Sequence, residues 1–150
     1  MTKDTPFIAL VSAPIDVAAV IAEVAGSDAG AVAFFIGTVR ETSRDRRVLF
    51  LEYEAYTRMA EGAMREIALA VSREFGPCRL AIVHRVGRLE IGEISVAIAV
   101  ASPHRRTALG ACTEAIEQVK KTVPIWKKEH FEGGAVWIEG DPSAPGGPAG

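Results

Sequence analysis

The order of strand-like and helix-like segments predicts an α+β fold, with three main helices against a mixed, mostly antiparallel sheet. Apolar runs of strand length alternate with amphipathic segments of helical period in the order βαββαββαβ. Adjacent strands are joined by short links, which favours antiparallel neighbours over a doubly wound sheet. Apolar residues make up 49% of the 150 residues, enough to bury a core and too many for a disordered chain.

Phe7 to Val11 forms the first strand. Pro14 suits a first helical position and opens a helix to about Ala25, with Val17, Val20, Ile21 and Val24 on its apolar side. Gly26-Ser27-Asp28 ends it. Ala31 to Val39 is almost continuously apolar, as a buried strand should be. Glu41 to Arg47 reads ETSRDRR, with no apolar residue, and predicts an exposed, mobile loop. Val48 to Tyr56 is β-prone. A second helix is expected over Arg58 to Phe75, closed by Gly76-Pro77. Two strands follow, Arg79 to Val86 and Ile94 to Ala101, joined by the turn-rich GRLEIGE. Ser102-Pro103 supplies an N-cap and a first-turn proline for a third helix running to about Thr122. Ala135 to Glu139 makes a final short strand.

Residues 1–139 thus read as one domain. From Gly140 the sequence GDPSAPGGPAG contains four of the 14 glycines and three of the 8 prolines, and predicts a disordered tail over 140–150. No apolar run approaches the ~20 residues of a membrane span, and the N-terminus lacks a signal-peptide pattern. A net charge of −2 gives no reason to expect nucleic acid, so any anion site must be local. Cys78 and Cys112 have no metal-ligand spacing and the three histidines are scattered. The expectation is a cytoplasmic protein without disulfide, metal or membrane contact.

The most informative ten residues are Lys120 to Glu129, KKTVPIWKKE. Lys120 lies in the last turn of the third helix, where the helix dipole favours a cation, and Pro124 ends that helix. Lys127 lies beyond the break, with Ile125 and Trp126 between. Two converging ammonium groups beside an indole suit a flat, anionic ligand; solvated lysines and a core tryptophan are the plainer alternative. The helix narrows the choice. With apolar residues at Leu109, Cys112, Ile116, Val119 and Val123, Lys120 flanks the stripe and Lys121 lies on the far side. Lys120 is therefore expected to be partly buried with a depressed pKa, a usable base or nucleophile, and Lys121 to be solvated.

The other end of the helix begins Ser102-Pro103-His104-Arg105-Arg106. Cations are disfavoured there by the dipole, so these residues either lie in water, pair with Glu52 or Glu54, or bind an anion. A third piece is FFIGTVR, where a strand emerges at Arg40 and Gly37 permits close backbone approach. His84 shares a strand face with Leu80, Ile82 and Val86 and reads as a hydrogen-bonded core histidine. Cys112, on the buried stripe, is a poor reactive thiol.

With FFIGTVRETSRDRRVLFLEYEAYTRMA, AIVHRVGRLEIGEISVAIAVASPHRRTA and KKTVPIWKKE in order, residues 7 to 139 resemble the catalytic (large) subunit family of molybdopterin synthase. The resemblance implies an α/β-hammerhead fold. It implies a sulfurtransferase that converts cyclic pyranopterin monophosphate to molybdopterin. Its sulfur would come from the C-terminal Gly-Gly thiocarboxylate of a small ubiquitin-like partner subunit, with no other cofactor. It further implies a homodimer at the centre of a heterotetramer, with each pocket drawing on both large subunits. By motif position, Thr38, Val39 and Arg40 would line the substrate site, and His104 and Arg105 would hold phosphate or pterin from the other subunit. Lys120 and Lys127 would be catalytic, with Lys128 and Glu129 completing the pocket. One helix of ~20 residues spans ~30 Å, so its two ends cannot serve one site within one chain. Two readings from the residues alone stay open beside this one. One is a Schiff-base lyase or aldolase using Lys120; the other is a non-catalytic anion-binding module.

Overall fold

A computed structural model describes residues 5–139. The elements are β1 (Phe7–Val11), α1 (Val17–Val24), β2 (Ala31–Thr38), β3 (Thr42–Ser43), β4 (Arg46–Ala55), α2 (Thr57–Phe75), β5 (Arg79–Arg85), β6 (Gly87–Glu90), β7 (Ile94–Ser102), α3 (Arg105–Thr122), β8 (Ile125–Phe131) and β9 (Gly134–Glu139). The fold is α+β, as expected, but the strands divide between two sheets. The tail, residues 140–150, lies outside the described residues.

The first sheet has the order β1-β5-β7-β2. β1 is parallel to β5, and β5·β7 and β7·β2 are antiparallel. Helices cover both faces. α1 packs Val20 and Val24 against Ala81, Val83, Ala97, Ala99 and Ala101. On the opposite face α2 and α3 cover Leu80, Ile82, Val96, Ile98 and Val100. Burial on both faces is why β7 is apolar along nearly its whole length rather than alternating. The second sheet runs β3-β4-β8-β9, with β6 also paired to β4. Its apolar cluster is Val39, Val48, Leu51, Tyr53 and Leu89, with Ile125 against it.

Several expectations need correction. Helix α1 begins at Val17 and not at Pro14; Asp16 is its N-cap and accepts from the Ala19 amide at 3.2 Å. Helix α3 begins at Arg105 with His104 at the N-cap, because Ser102 still belongs to β7 and donates its hydroxyl to the Pro77 carbonyl at 3.0 Å. The buried face of α3 is Ala108, Ala111, Cys112, Ala115 and Val119, one position round from the stripe read from the sequence. Leu109 is 59% exposed. Small side chains win the inner face because α3 must pack closely on both the sheet and α2. A Cβ at Gly110 would come within 2.8 Å of Phe75.

Three strand segments depart further from expectation. The segment Glu41–Arg47 is not an open loop but carries a hairpin: Ser43 pairs with Arg46, leaving Arg44 and Asp45 as a two-residue turn at φ 52° and 63°. Both turn residues at positive φ match the twist of a tight hairpin. GRLE, expected to be a turn, is β6, which places Leu89 fully inside the second sheet. IWKKEHF, beyond the Pro124 break, is β8, held by β4 on one side and β9 on the other.

Candidate active site

Side chains alternate across a strand, so β8 sorts its own charges. Ile125, Lys127 and Glu129 face inward, toward the C-terminal end of α3. There they meet Val119, Lys120 and Val123 around a cavity of about 340 Å³. β2 enters the same cavity at its end, contributing Gly37 and Thr38, followed by Val39 and Arg40. Thr42 and Ser43 of the hairpin, Val48, Leu51 and Tyr53 of β4, His84 of β5, Ser95 of β7 and Ile138 of β9 complete the wall.

Gly37 allows the approach of β2 to β7 that the sequence suggested. A Cβ there would lie 2.9 Å from Val96, and Ser95 donates its hydroxyl to the Gly37 carbonyl at 3.2 Å. The register slips between Gly37 and Thr38, turning the strand end toward the cavity. The Val39 amide donates to the Glu93 carbonyl at 3.0 Å and the Gly92 amide to the Val39 carbonyl at 2.9 Å. Val39 is therefore buried, while Thr38 and Arg40 keep access to solvent.

Lys120 is half-buried and lines the cavity, and Lys121 is exposed, as the helix geometry required. Lys127 Nζ stands 3.5 Å from a Glu129 carboxylate oxygen, and only 4% of the Glu129 side chain is exposed. A buried carboxylate without a cation would be costly, so the pair neutralises itself while leaving Lys127 at the cavity wall. The cavity thus holds cationic groups from three separate segments, Arg40, Lys120 and Lys127, against one enclosed carboxylate.

The other expected site residues stand elsewhere. Lys128 faces the opposite side of β8, its Nζ 5.4 Å from the centre of the Trp137 ring. His104 and Arg105 are exposed at the start of α3, in a separate hollow with Gly30, Pro103 and Arg106. Gly30 hugs this turn: a Cβ would lie 2.4 Å from the Pro103 carbonyl oxygen. The 18 residues of α3 put the hollow and the cavity about 27 Å apart along the helix.

Sequence reasoning missed the polar floor of the cavity. His84 is a buried, hydrogen-bonded histidine as expected, 3% exposed and bonded through Nδ1 to the Arg85 carbonyl at 2.8 Å. It also lines the cavity, and burial pushes its pKa down to about 4, assisted by the charge of Lys120. Tyr53 meets it edge-on at 5.1 Å; burial raises the phenol's pKa, while its bond to Ser95 acts the other way. The available signal was alternation, since His84 continues the inward face of Leu80 and Ile82, and Tyr53 that of Leu51. Neither cysteine lines this cavity. Burial pushes the Cys112 thiol up to about 11 and raises that of Cys78. Among the described residues no group of three or more His, Cys, Asp or Glu side chains could hold a metal, and no helix is long and apolar enough to cross a membrane.

The MoaE protein family matches residues 10–122. A molybdopterin synthase catalytic subunit from Halalkalibacterium halodurans is 46% identical over 130 residues, covering 87% of this chain and 83% of that protein. A molybdopterin synthase catalytic subunit from Pyrococcus abyssi is 39% identical over 140 residues, covering 92% and 95%. A chain of the crystal structure of molybdopterin synthase from Staphylococcus aureus superposes with a TM-score of 0.84 at 41% identity, covering 87% of this chain and 95% of that one.

Proposed function

The chain belongs to the MoaE family of molybdopterin synthase catalytic subunits, and we propose that it carries out the sulfur transfer by which a cyclic pyranopterin monophosphate becomes molybdopterin. The sulfur arrives as the C-terminal thiocarboxylate of a small ubiquitin-like partner ending in Gly-Gly. Two transfers build the dithiolene. The observation that supports this best is the convergence of Arg40, Lys120 and Lys127 on one cavity of about 340 Å³, large enough for a flat bicyclic or tricyclic ligand and an extended glycine tail.

Each group has a distinct task in this reading. Arg40 offers a planar, bidentate donor to phosphate. Lys120 and Lys127 hold the anionic thiocarboxylate beside the pterin. The sulfur bonds to carbon there, and the departing oxygen takes a proton from a lysine. Water then cleaves the acyl–sulfur bond, leaving sulfur on the pterin and a carboxylate on the partner. The chain supplies placement and charge, and the partner supplies the nucleophile.

His104 and Arg105 join the site from a second copy of the chain, in a homodimer flanked by two small subunits. Their separation from Lys120 along α3 is what supports a shared site. Without the second copy, the pocket keeps its lysines but lacks this second anion clamp. The direct test mixes the protein with a thiocarboxylated ubiquitin-like partner and the cyclic pterin and assays for dithiolene. No dithiolene from a folded, complexed protein would reject the reading.

A further inference from the structure

One long sheet edge is left open. β2 ends the first sheet, so its outer side has no strand beside it among the described residues. Its sequence, AVAFFIGT, carries no charge and no proline, the usual devices that keep an edge from pairing. Val32 and Ile36 are each 42% exposed there. By alternation they share a face with Phe34, which packs toward α1, while Ala33 and Phe35 face α3.

The helix above this edge is also open on one flank. α3 packs on β2 and β7 about equally, and α2 lies over β1 and β5. Toward α2, α3 turns Glu114, Gln118 and Thr122, which line a groove between the two helices. At ~100° per residue, Arg105, Leu109, Ile116 and Lys120 lie within ~40° of the direction opposite Gln118. That flank overhangs the β2 edge, and Leu109 on it is largely exposed. β2 and α3 also run the same way. Both begin beside the hollow, where Gly30 meets Pro103, and both end at the cavity, with Thr38 and Lys120.

We propose that β2 is the seam of the homodimer. Two copies pair their β2 strands antiparallel about a two-fold axis at Phe34, joining two four-stranded sheets into one. Directly opposed residues of an antiparallel pair share a face, so the axis passes through a residue and not between two. Phe34 is the choice that lays Val32 of each copy over Ile36 of the other. Gly30 of one copy then stands opposite Thr38 of the other. With strands about 4.8 Å apart, two α3 helices above their β2–β7 grooves lie about 10 Å apart, a normal packing distance. The helices run antiparallel with Leu109 and Ile116 between them, so the start of each lies beside the end of the other. His104 and Arg105 of one copy thereby reach the Lys120 cavity of the other. Pairing through β1, three strands away, would leave hollow and cavity as far apart as they are in one chain.

The inference rests on the shared-site reading of the proposed function, but its test reads strand register and not activity. Opposed Cα atoms stand ~4.5–5.5 Å apart, within disulfide reach, whereas positions four residues out of register are ~14 Å apart. Mild oxidation of mixed Val32→Cys and Ile36→Cys chains should therefore give a cross-linked dimer containing one of each. Either variant alone should give none, because Val32 lies opposite Ile36 and not opposite itself. Both positions are exposed, and the native Cys78 and Cys112 are buried. In a second test, Ile36→Lys puts a charge on the seam and should raise the dimer dissociation constant at least ~10-fold in sedimentation, with an unchanged circular dichroism spectrum. A dimer whose mixed variants form no cross-link, or whose single variants cross-link equally well, overturns the seam and leaves the shared site to another face. A chain that stays monomeric, alone and with the small subunit, overturns the seam and the shared site together. Cross-links from β2 to the small subunit in place of a second copy would also overturn it, giving the edge to that partner. Register-specific cross-links in a protein that makes no dithiolene would uphold the seam and reject the chemistry.

Discussion

The two ends of α3 carry the same kind of charge in opposite settings. At the C-terminal end Lys120 lies in a walled cavity with Arg40, Lys127 and Glu129, and the helix dipole favours its cation. At the N-terminal end His104, Arg105 and Arg106 surround an open hollow floored by Gly30 and Pro103, and the dipole works against them. The first end is enclosed by the chain's own walls. The second has donors and few walls, so the proposed site needs a second subunit to close over it.

The sharpest way to break this contrast is Lys120→Ala. Loss of a positioned acid–base group should lower turnover by 10²–10⁴-fold, about the range such groups supply. The thermal melt and binding of the small subunit should stay near wild type, because truncation removes a half-buried stem and opens no core cavity. Unaltered turnover would remove Lys120 from the mechanism. Arg105→Ala should instead raise KM by roughly 10-fold or more with a smaller change in kcat, since a charge-assisted hydrogen bond to an anion acts on binding.

Mixing these two variants sharpens the comparison. If each site takes Lys120 from one chain and Arg105 from the other, a mixed dimer contains one doubly defective site and one intact site. Activity should then rise above that of either homodimer after subunit exchange. No recovery, with exchange verified by mass spectrometry, would place both residues in one chain's site or outside it.

The enclosed end also has a signature in stability against pH. His84 titrates near 6.5 when unfolded and at about 4 in the fold, so the unfolded chain binds the extra proton first. Stability attributable to its neutral burial is present above pH 6.5 and is lost as pH falls toward 4, on the order of 3 kcal/mol across that window. Urea midpoints measured from pH 7 to 4 should fall, and His84→Asn should flatten the drop. A wild-type midpoint constant over that range would contradict a neutral, buried imidazole. The smallest effect belongs to Lys121→Ala. One residue from Lys120 but exposed, it should leave kcat and KM within about 2-fold.

Much of this was legible in the residues. The three helices, the existence of the strand from Ala31, the half-burial of Lys120 and the exposure of Lys121 follow from period and punctuation. That strand, β2, nevertheless lies at the sheet edge with only Ala33 buried and is not the buried strand its apolar run suggested. β8 was not legible, because its inner face carries Lys127 and Glu129 while its outer face carries Trp126. A strand that lines a charged cavity inverts the usual rule of apolar inside and polar outside. β6 was obscured by Gly87 at its start and Gly92 just beyond its end, both at positive φ. The Arg44-Asp45 turn lacks the Asn-Gly signal that marks a tight hairpin, so charge alone suggested a loop. The polar floor takes His84 and Ser95 from the paired strands β5 and β7 of the first sheet and Tyr53 from β4 of the second, so only the meeting of the two sheets brings the phenol to the other two.

The alternation along β8 sets a condition on chain length as strict as any on residue identity. Only Val123 and Pro124 join α3 to that strand, and β8 is pinned in register by β4 and β9 on its two sides. One residue inserted into this connector, where the taut two-residue link cannot loop it out and the strand slips by one, would turn every following side chain of β8 to the other face. Trp126 would then take the place of Lys127 in the cavity, and Lys128 that of Glu129. The enclosed carboxylate would be gone, an indole would fill part of the ligand volume, and the pair that had summed to zero would become a single positive charge. A substitution at Lys127 removes one group, whereas an insertion three residues earlier would rewrite that wall of the pocket.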